Sequence, residues 1–382
     1  MKQIKVGLLG HGVVGSGVTD ILDGLDGVQV KSFLVKDLSE SDDPRCTTDP
    51  SVILDDPEID IVAECMGGIE PAASYVMRAI ENGKHVVTSN KKMLASSAEK
   101  LFSLAKDKHV RVGFEATCGG GIPWMDNLAR IRRIDEISAF HGIFNGTTNF
   151  ILSRMTSSGA SFAEMLKEAQ RLGYAERDPK DDIEGYDVRY KVMLSGLAAF
   201  DALVDEEEII MHGIKTITEE DVACAKAMGR VCKLVGSALK QEDTIGAMVM
   251  PVFLKNDDPL SAVSLNYNML TSVSDTLGTA SFYGQGAGSL PTAHAVVQDI
   301  LDIAYDVPVV ERTMHVCRVD NQKYTSRYYI RTKKPVIFSA IIDHALSENS
   351  FVTKPVSLVE VEQFICTAED ESLFVAEVQG DD

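Results

Sequence analysis

An α/β protein of at least two domains follows from three features of the chain. A strand, a glycine turn and a helix run in immediate succession at the N-terminus, strands and helices then alternate as far as residue 114, and the patterning changes after Pro123. Length agrees, since 382 residues exceed one typical core.

Residues 4–9 form a short apolar strand, followed at once by Gly10-His11-Gly12-Val13-Val14-Gly15 and a helical pattern through Val18, Ile21 and Leu22. Residues 28–35 read as a second strand, with Lys36 and Asp37 at its carboxyl end; residues 60–65, 84–88 and 110–114 supply three more, with helical stretches at 71–81 and 97–106. Such alternation implies a parallel sheet covered on both faces. Beyond Pro123, residues 134–145 look like a strand, 150–157 and 162–172 like helices, and 188–202 like a long apolar helix. Thr218 caps another helix, with Glu220 and Asp221 in its first turn. Residues 248–254, 262–273 and 279–283 have strand character, 284–288 make a glycine-rich turn, and 292–304 form a helix long enough to return to the first domain. After Asp320 the pattern predicts a strand at 328–331, a helix at 336–346 and strands at 359–367 and 373–378.

Hydrophobic residues make up 45% and charged residues 25%, as in globular proteins. Lys plus Arg total 37 against 57 Asp plus Glu, and the resulting charge of −20 argues against nucleic-acid and membrane partners. Seven scattered cysteines without a C-x-x-C pair read as reduced thiols. No apolar run approaches the roughly 20 residues of a membrane helix. The cytoplasm is the expected compartment.

Gly10, Gly12 and Gly15 permit a tight turn, let backbone amides approach a pyrophosphate and allow the helix to pack closely on the strand. The spacing alone is weak evidence in a chain with 29 glycines. Its place between a first strand and a first helix makes it the signature of a Rossmann-type dinucleotide-binding domain. Asp37 suits a ribose hydroxyl, favouring NAD, and Lys36 suits a 2′-phosphate, favouring NADP, so the preference stays open.

Thr88-Ser89-Asn90-Lys91-Lys92 closes the fourth strand, at the edge where ligands gather in open α/β sheets; its plain alternative is a solvated loop. The segment EATCGGGIP, residues 115–123, is either a hinge or a row of carbonyl oxygens that, with Glu115, suits a hard monovalent cation. GIFNGTTN, residues 142–149, sets small and hydroxyl side chains where a strand meets a helix, fit to cap it, to bind a small ligand, or both.

The most informative stretch is GYAERDPKDDIEGYDVRYK, residues 173–191, in which carboxylates precede one lysine. If Asp187 opens a helix, Lys191 lies four residues on and directly above it. A carboxylate so near an ammonium orients it and holds its proton, as an acid/base group acting on an alcohol or carbonyl requires. An exposed ion pair is the plain alternative. The glycine signature upstream makes a proton-transfer group beside a hydride carrier a coherent pair.

Together GHGVVG, ECMGG, VVTSNK, EATCGGGIP, GTTNFIL, the 173–191 stretch and YGQGAGSLPTAHAV resemble homoserine dehydrogenase over residues 4–305. That family interconverts L-homoserine and L-aspartate 4-semialdehyde with NAD or NADP. The resemblance implies a dinucleotide-binding domain at 1–130 plus 288–308, a mixed α/β substrate and dimerisation domain at 131–287, and a homodimer or homotetramer. Carried over residue by residue, it makes Lys191 the proton donor or acceptor, supported by Asp187, with Lys91 a second lysine at the reaction centre. Glu176 would hold the substrate's amino group, Asp182 would support the substrate, and Gly146, Thr147, Thr148 and Asn149 would line the pocket. Gly10, Gly12, Val13, Val14, Gly15, Lys36, Asp37, Gly67, Ser89, Lys91 and Gly288 fall at the cofactor. A sodium or potassium site falls on Glu115 and the backbone of Cys118, Gly120 and Ile122. Ser89 stands where the family usually has alanine, and Cys118 where it often has valine.

Residues 325–382 resemble a short ACT regulatory module of α+β type, through RYYIRT and a following helix. Lys333-Lys334-Pro335 replaces the usual Asp-x-x-Gly turn, so a structural role is the preferred reading. Two other functional classes remain: a different amino-acid or semialdehyde oxidoreductase on the same fold, and a non-catalytic nucleotide sensor.

Overall fold

The computed structural model describes residues 3–242, 244–308 and 315–380. Chain contacts divide it into two compact units: Met1–Ile134 with Leu197–Leu203 and Gln285–His315, and Asp135–Gly196 with Val204–Gly284 and Val316–Asp382.

The first unit is a parallel sheet in the order Cys46–Thr47, Val28–Leu34, Ile4–Leu9, Ile61–Glu64, His85–Thr88, Val112–Gly113. Its central strands Ile4–Leu9, Ile61–Glu64 and His85–Thr88 are short, mainly apolar and mostly buried, as a sheet covered on both faces requires. Strand order reverses direction between Ile4–Leu9 and Ile61–Glu64, which opens a crevice at their carboxyl ends. Helices Val13–Leu22 and Ser289–Ala304 pack together on this sheet, with Val18, Leu22, Ala293, Val296 and Ile300 in one core. Gly17 makes the contact possible, because a Cβ there would lie 2.9 Å from that of Ala293. The helix expected at 97–106 begins earlier, at Lys91, where the Asn90 side chain accepts from Met93 N–H and caps it.

The second unit is a mixed sheet whose main path runs Gly278–Gln285, Tyr267–Ser274, Ile137–Ile143, Arg230–Gln241, Thr244–Lys255, Phe374–Val378, Thr325–Arg331, Ser350–Thr353, Ile342–Ala345. Helix Tyr186–Phe200 lies on it. Gly236 gives the helix room, since a Cβ there would meet Val192 and Val188 at 2.6 and 2.7 Å. The helix expected to start at 150 begins at Gly146, capped by the Asn145 side chain.

Arg230–Gln241 was not expected as a strand; its central residues are buried on both faces and show no alternation to read. Two expectations near the C-terminus are corrected. Residues 336–346 are not a helix: Pro335–Phe338 makes one 3-10 turn, and Ile342–Ala345 is a strand paired with Ser350–Thr353. Residues 359–367 are not a strand but lie within helix Leu358–Ala368. Its β-branched residues mimic a strand, yet Leu358, Val361 and Ala368 are buried at helical spacing, and Ser357 accepts from Glu360 N–H at the cap. The C-terminal residues continue the sheet through parallel pairing of Val252 with Glu377 and Phe253 with Val378. Among the described residues no helix is long and apolar enough to cross a membrane.

Candidate active site

In the second unit, strand Ile137–Ile143 runs through Phe144 and Asn145 into helix Gly146–Ser158. Asn145 does two things there. Its Oδ1 accepts from Thr148 N–H and Oγ at 2.8 and 3.0 Å, closing the helix start. Its Nδ2 donates to Asp182 Oδ1 at 2.7 Å and to Asp187 Oδ2 at 2.8 Å, holding two carboxylates together. Gly146 is obligatory at the turn, because a Cβ would lie 2.7 Å from the Asn266 carbonyl oxygen.

Asp187 stands in the first turn of helix Tyr186–Phe200, and Lys191 one turn above it. Lys191 Nζ donates to Asp187 Oδ2 and to the Phe144 carbonyl, both at 2.7 Å. The two residues are 7% and 8% exposed, so this is a buried pair and not a solvated ion pair on a helix face. An ammonium has three donors. Two are spent on fixed acceptors, which holds the ammonium in place.

The other expected substrate residues separate by environment. Thr147 Oγ donates to the Tyr174 carbonyl, pinning the segment that carries Glu176. The Glu176 side chain is exposed, with its backbone carbonyl held by Gln170. Asn149 turns inward: its Nδ2 donates to the Val263 and Tyr267 carbonyls at 3.3 and 3.0 Å, and its Oδ1 accepts from Lys233 at 2.9 Å. Its amide therefore supports the fold beneath the site.

In the first unit, Gly10 has φ +96° and Gly12 caps helix Val13–Leu22, whose first turn carries no acidic residue. Its leading N–H groups thus face outward with the positive end of the helix, ready for a phosphate. A Cβ on Gly15 would lie 2.1 Å from the Gly10 carbonyl oxygen, so side chains are excluded from the turn. Val13 is 71% exposed, while Val14 packs on the core. Ser289 Oγ donates to the Val13 carbonyl, and Gly288, at φ +137°, caps the helix that Ser289 begins. This cradle fits a dinucleotide. Lys36 and Asp37 are both exposed; Asp37 accepts from Ser39 N–H at 2.8 Å, which holds its carboxyl below the usual range.

Glu64, unexposed in its strand, was missed by sequence reasoning. Its Oε1 accepts from Met66 N–H at 2.8 Å and, at 3.4 Å, from Gly67 N–H and Asn90 Nδ2, while Oε2 accepts from Thr88 Oγ at 2.6 Å. One carboxylate thereby fixes both the Gly67 loop and the turn carrying Ser89 and Lys91. Asn145 falls in the 142–149 segment read as a helix cap, but its hold on Asp182 and Asp187 has no signal in the sequence.

Glu115 answers differently from expectation. Its carboxylate accepts from the N–H groups of Trp124, Met125 and Asp126 at 2.6, 3.2 and 2.7 Å, so its oxygens are committed to capping helix Met125–Ile131. Burial, with Asp126 close by, pushes its pKa up to about 8 while those amides pull the other way. Gly120, at φ +62°, stands 2.8 Å by its would-be Cβ from the Gln285 carbonyl, which keeps this loop glycine-bound.

Comparison with known proteins bears on the whole chain. Residues 123–301 match the family model for homoserine dehydrogenase, and residues 10–115 match that for its NAD-binding domain. The homoserine dehydrogenase of Bacillus subtilis is 41% identical over 79% of this chain and 73% of its own. That of Synechocystis is 38% identical over 86% and 82%. A crystal structure of a homoserine dehydrogenase from Thiobacillus denitrificans superposes with TM-score 0.90 at 34% identity, covering 99% of each chain.

Proposed function

Because this chain belongs to the homoserine dehydrogenase family, we propose that Lys191 is the proton donor and acceptor of the reaction the family performs. The protein is a homoserine dehydrogenase, a nicotinamide-dependent oxidoreductase that interconverts L-aspartate 4-semialdehyde and L-homoserine. The observation that carries the proposal is the buried Lys191 ammonium, fixed at 2.7 Å by Asp187 Oδ2 and the Phe144 carbonyl.

The bound nicotinamide supplies or accepts the hydride. In reduction, Lys191 gives a proton to the oxygen that becomes the alcohol, and Asp187 stabilises and orients the ammonium beforehand. In oxidation a neutral amine must take the hydroxyl proton, so the same side chain works in both directions. Asp182, held by Asn145, and the exposed carboxylate of Glu176 offer anionic partners for the substrate's amino group. Lys91, at the first position of its helix, is the second cation of the reaction centre. Gly146, Thr147 and Thr148 shape the pocket wall, with Asn149 behind it.

The dinucleotide is held by Gly10, Gly12, Val13, Val14 and Gly15 at its pyrophosphate, with Gly67, Ser89 and Gly288 lining the cradle. NADP is the preferred form, because the Lys36 ammonium is exposed whereas the Asp37 carboxylate is engaged with Ser39. A sodium or potassium ion would rest on neutral carbonyl oxygens at Cys118, Gly120 and Ile122; the Glu115 carboxylate is spoken for by three amides. The C-terminal segment is ACT-like in plan. Supporting this, strands Thr325–Arg331, Ile342–Ala345, Ser350–Thr353 and Phe374–Val378 lie antiparallel with the last beside the first and the third between first and second, a short extra strand, Val356–Ser357, pairs with the first, and helix Leu358–Ala368 precedes the last. The enzyme is a cytoplasmic homo-oligomer; edge strand Gly278–Gln285, alternately exposed, is available for pairing.

Steady-state kinetics of Lys191→Ala tests the central claim. Turnover should fall by about three orders of magnitude with little change in nucleotide affinity. Near wild-type turnover would reject Lys191 in favour of Lys91.

A further inference from the structure

We propose that residues 210–216 are a strap through which the C-terminal segment positions the turn carrying Asp182 and Asp187, with Gly213 as the positioning residue. This rests on the reading of Asp182, Asp187 and Lys191 as substrate-facing groups.

One side of the strap grips the turn. Ile214 N–H donates to the Ile183 carbonyl at 2.8 Å. A Cβ on Gly213 would lie 2.2 Å from that same oxygen and 2.5 Å from Glu184 Cα, so strap and turn touch backbone to backbone. Lys215 Nζ pairs with Glu184 at 2.9 Å, and Gly185, at φ +96°, packs beneath the Met211 side chain. Asp182 and Asp187 flank this gripped segment, and Lys191 follows one helical turn on.

The other side of the strap is tied to residues beyond 325. His212 Nε2 meets Glu362, on helix Leu358–Ala368, at 2.5 Å. Thr216 Oγ donates to the Leu373 carbonyl at 2.8 Å. Arg331 donates to the Thr216 carbonyl at 2.6 Å while its guanidinium grips Asp221, an unexposed carboxylate, at 2.8 and 3.1 Å. The start of the strap is anchored by parallel pairing of Ile210 and Met211 with Met248 and Val249; between strap and strand Phe374–Val378 lies a cleft of about 200 Å³, so on that side the named bonds make the link. The family models end at residue 301, so the ties reach the catalytic turn from outside the matched region.

The test compares Gly213→Ala, Glu362→Ala and Glu362→Gln, with Lys191→Ala as control, by steady-state kinetics for homoserine and for nucleotide. Ordinary contact begins at 3.4 Å, so the added methyl must drive the turn back by more than an ångström. Gly213→Ala should raise the homoserine KM by at least about tenfold and leave the nucleotide KM unchanged. Glu362→Ala should raise it about fivefold, and Glu362→Gln, which keeps a hydrogen bond to His212, should restore it. Wild-type homoserine KM in folded Gly213→Ala, or both KM values rising together, overturns the proposal. If Gly213→Ala does not fold, the Glu362 pair decides: Ala and Gln alike in homoserine KM overturns it. Turnover surviving in Lys191→Ala would instead remove the reading of the site itself.

Discussion

Asn145 Nδ2 and Lys191 Nζ converge on one oxygen, Asp187 Oδ2, at 2.8 and 2.7 Å. The carboxylate that orients the lysine is therefore itself oriented, by an amide whose other end caps a helix. Losing a hydrogen bond to a charged group costs about 1.5–3 kcal/mol. Asn145→Ala should accordingly lower kcat/KM for homoserine by about ten- to a hundredfold. Kinetics of the folded variant decide this, and a change under twofold would separate Asn145 from the site.

Removing Asp187 has a different signature. It strands the Lys191 ammonium at 8% exposure, and breaking a buried pair from one side costs about 3–5 kcal/mol. Asp187→Ala should thus lower the urea midpoint as well as turnover. Unchanged stability would mean that the ammonium finds water, contrary to its burial.

Lys233 makes stability depend on alkaline pH. The residue is 3% exposed, and its ammonium donates to three neutral oxygens, Asn149 Oδ1, Ser153 Oγ and the Val263 carbonyl. Burial pushes its pKa down to about 8 from 10.5. Below pH 8 both states carry the proton and the burial penalty is constant; between the two values the unfolded chain binds more protons, so stability rises with pH. Urea midpoints from pH 7 to 10 should favour wild type over Lys233→Met increasingly as pH rises. A flat difference would show that the site is wetter than its geometry implies.

At the cofactor cradle, Gly15→Ala would put a methyl 2.1 Å from the Gly10 oxygen. Dinucleotide affinity, measured by calorimetry, should weaken by about a hundredfold, near 2.7 kcal/mol. Undiminished binding would place the pyrophosphate elsewhere.

Sequence carried the first unit well, because short apolar strands with glycine turns between them leave few alternatives. At the candidate site, pairing was legible where spacing fixes it, as between Asp187 and Lys191. It was opaque where a residue's role depends on what the chain brings to it: Glu64 gathers donors from 66, 67, 88 and 90, and Asn145 reaches 182 and 187. Asn149 sits in a motif and still points its amide into the fold, since Lys233 arrives from a strand that the pattern concealed. At 336–346 and 359–367, short β-branched runs fit either period, and tertiary packing chose.

Strand Phe374–Val378 enters the second sheet between Thr244–Lys255 and Thr325–Arg331, and its pairing with Val252 and Phe253 spans well over a hundred residues of chain. Closing so long a loop carries a heavy entropic penalty before any contact rewards it, and parallel pairings of this kind form slowly. Until that seam is sewn, the earlier strands present an open edge able to recruit a neighbouring molecule. Yield of native enzyme during expression or refolding is thereby governed by a race between ring-closing search and self-association, which dilution and cooling tilt toward the native sheet.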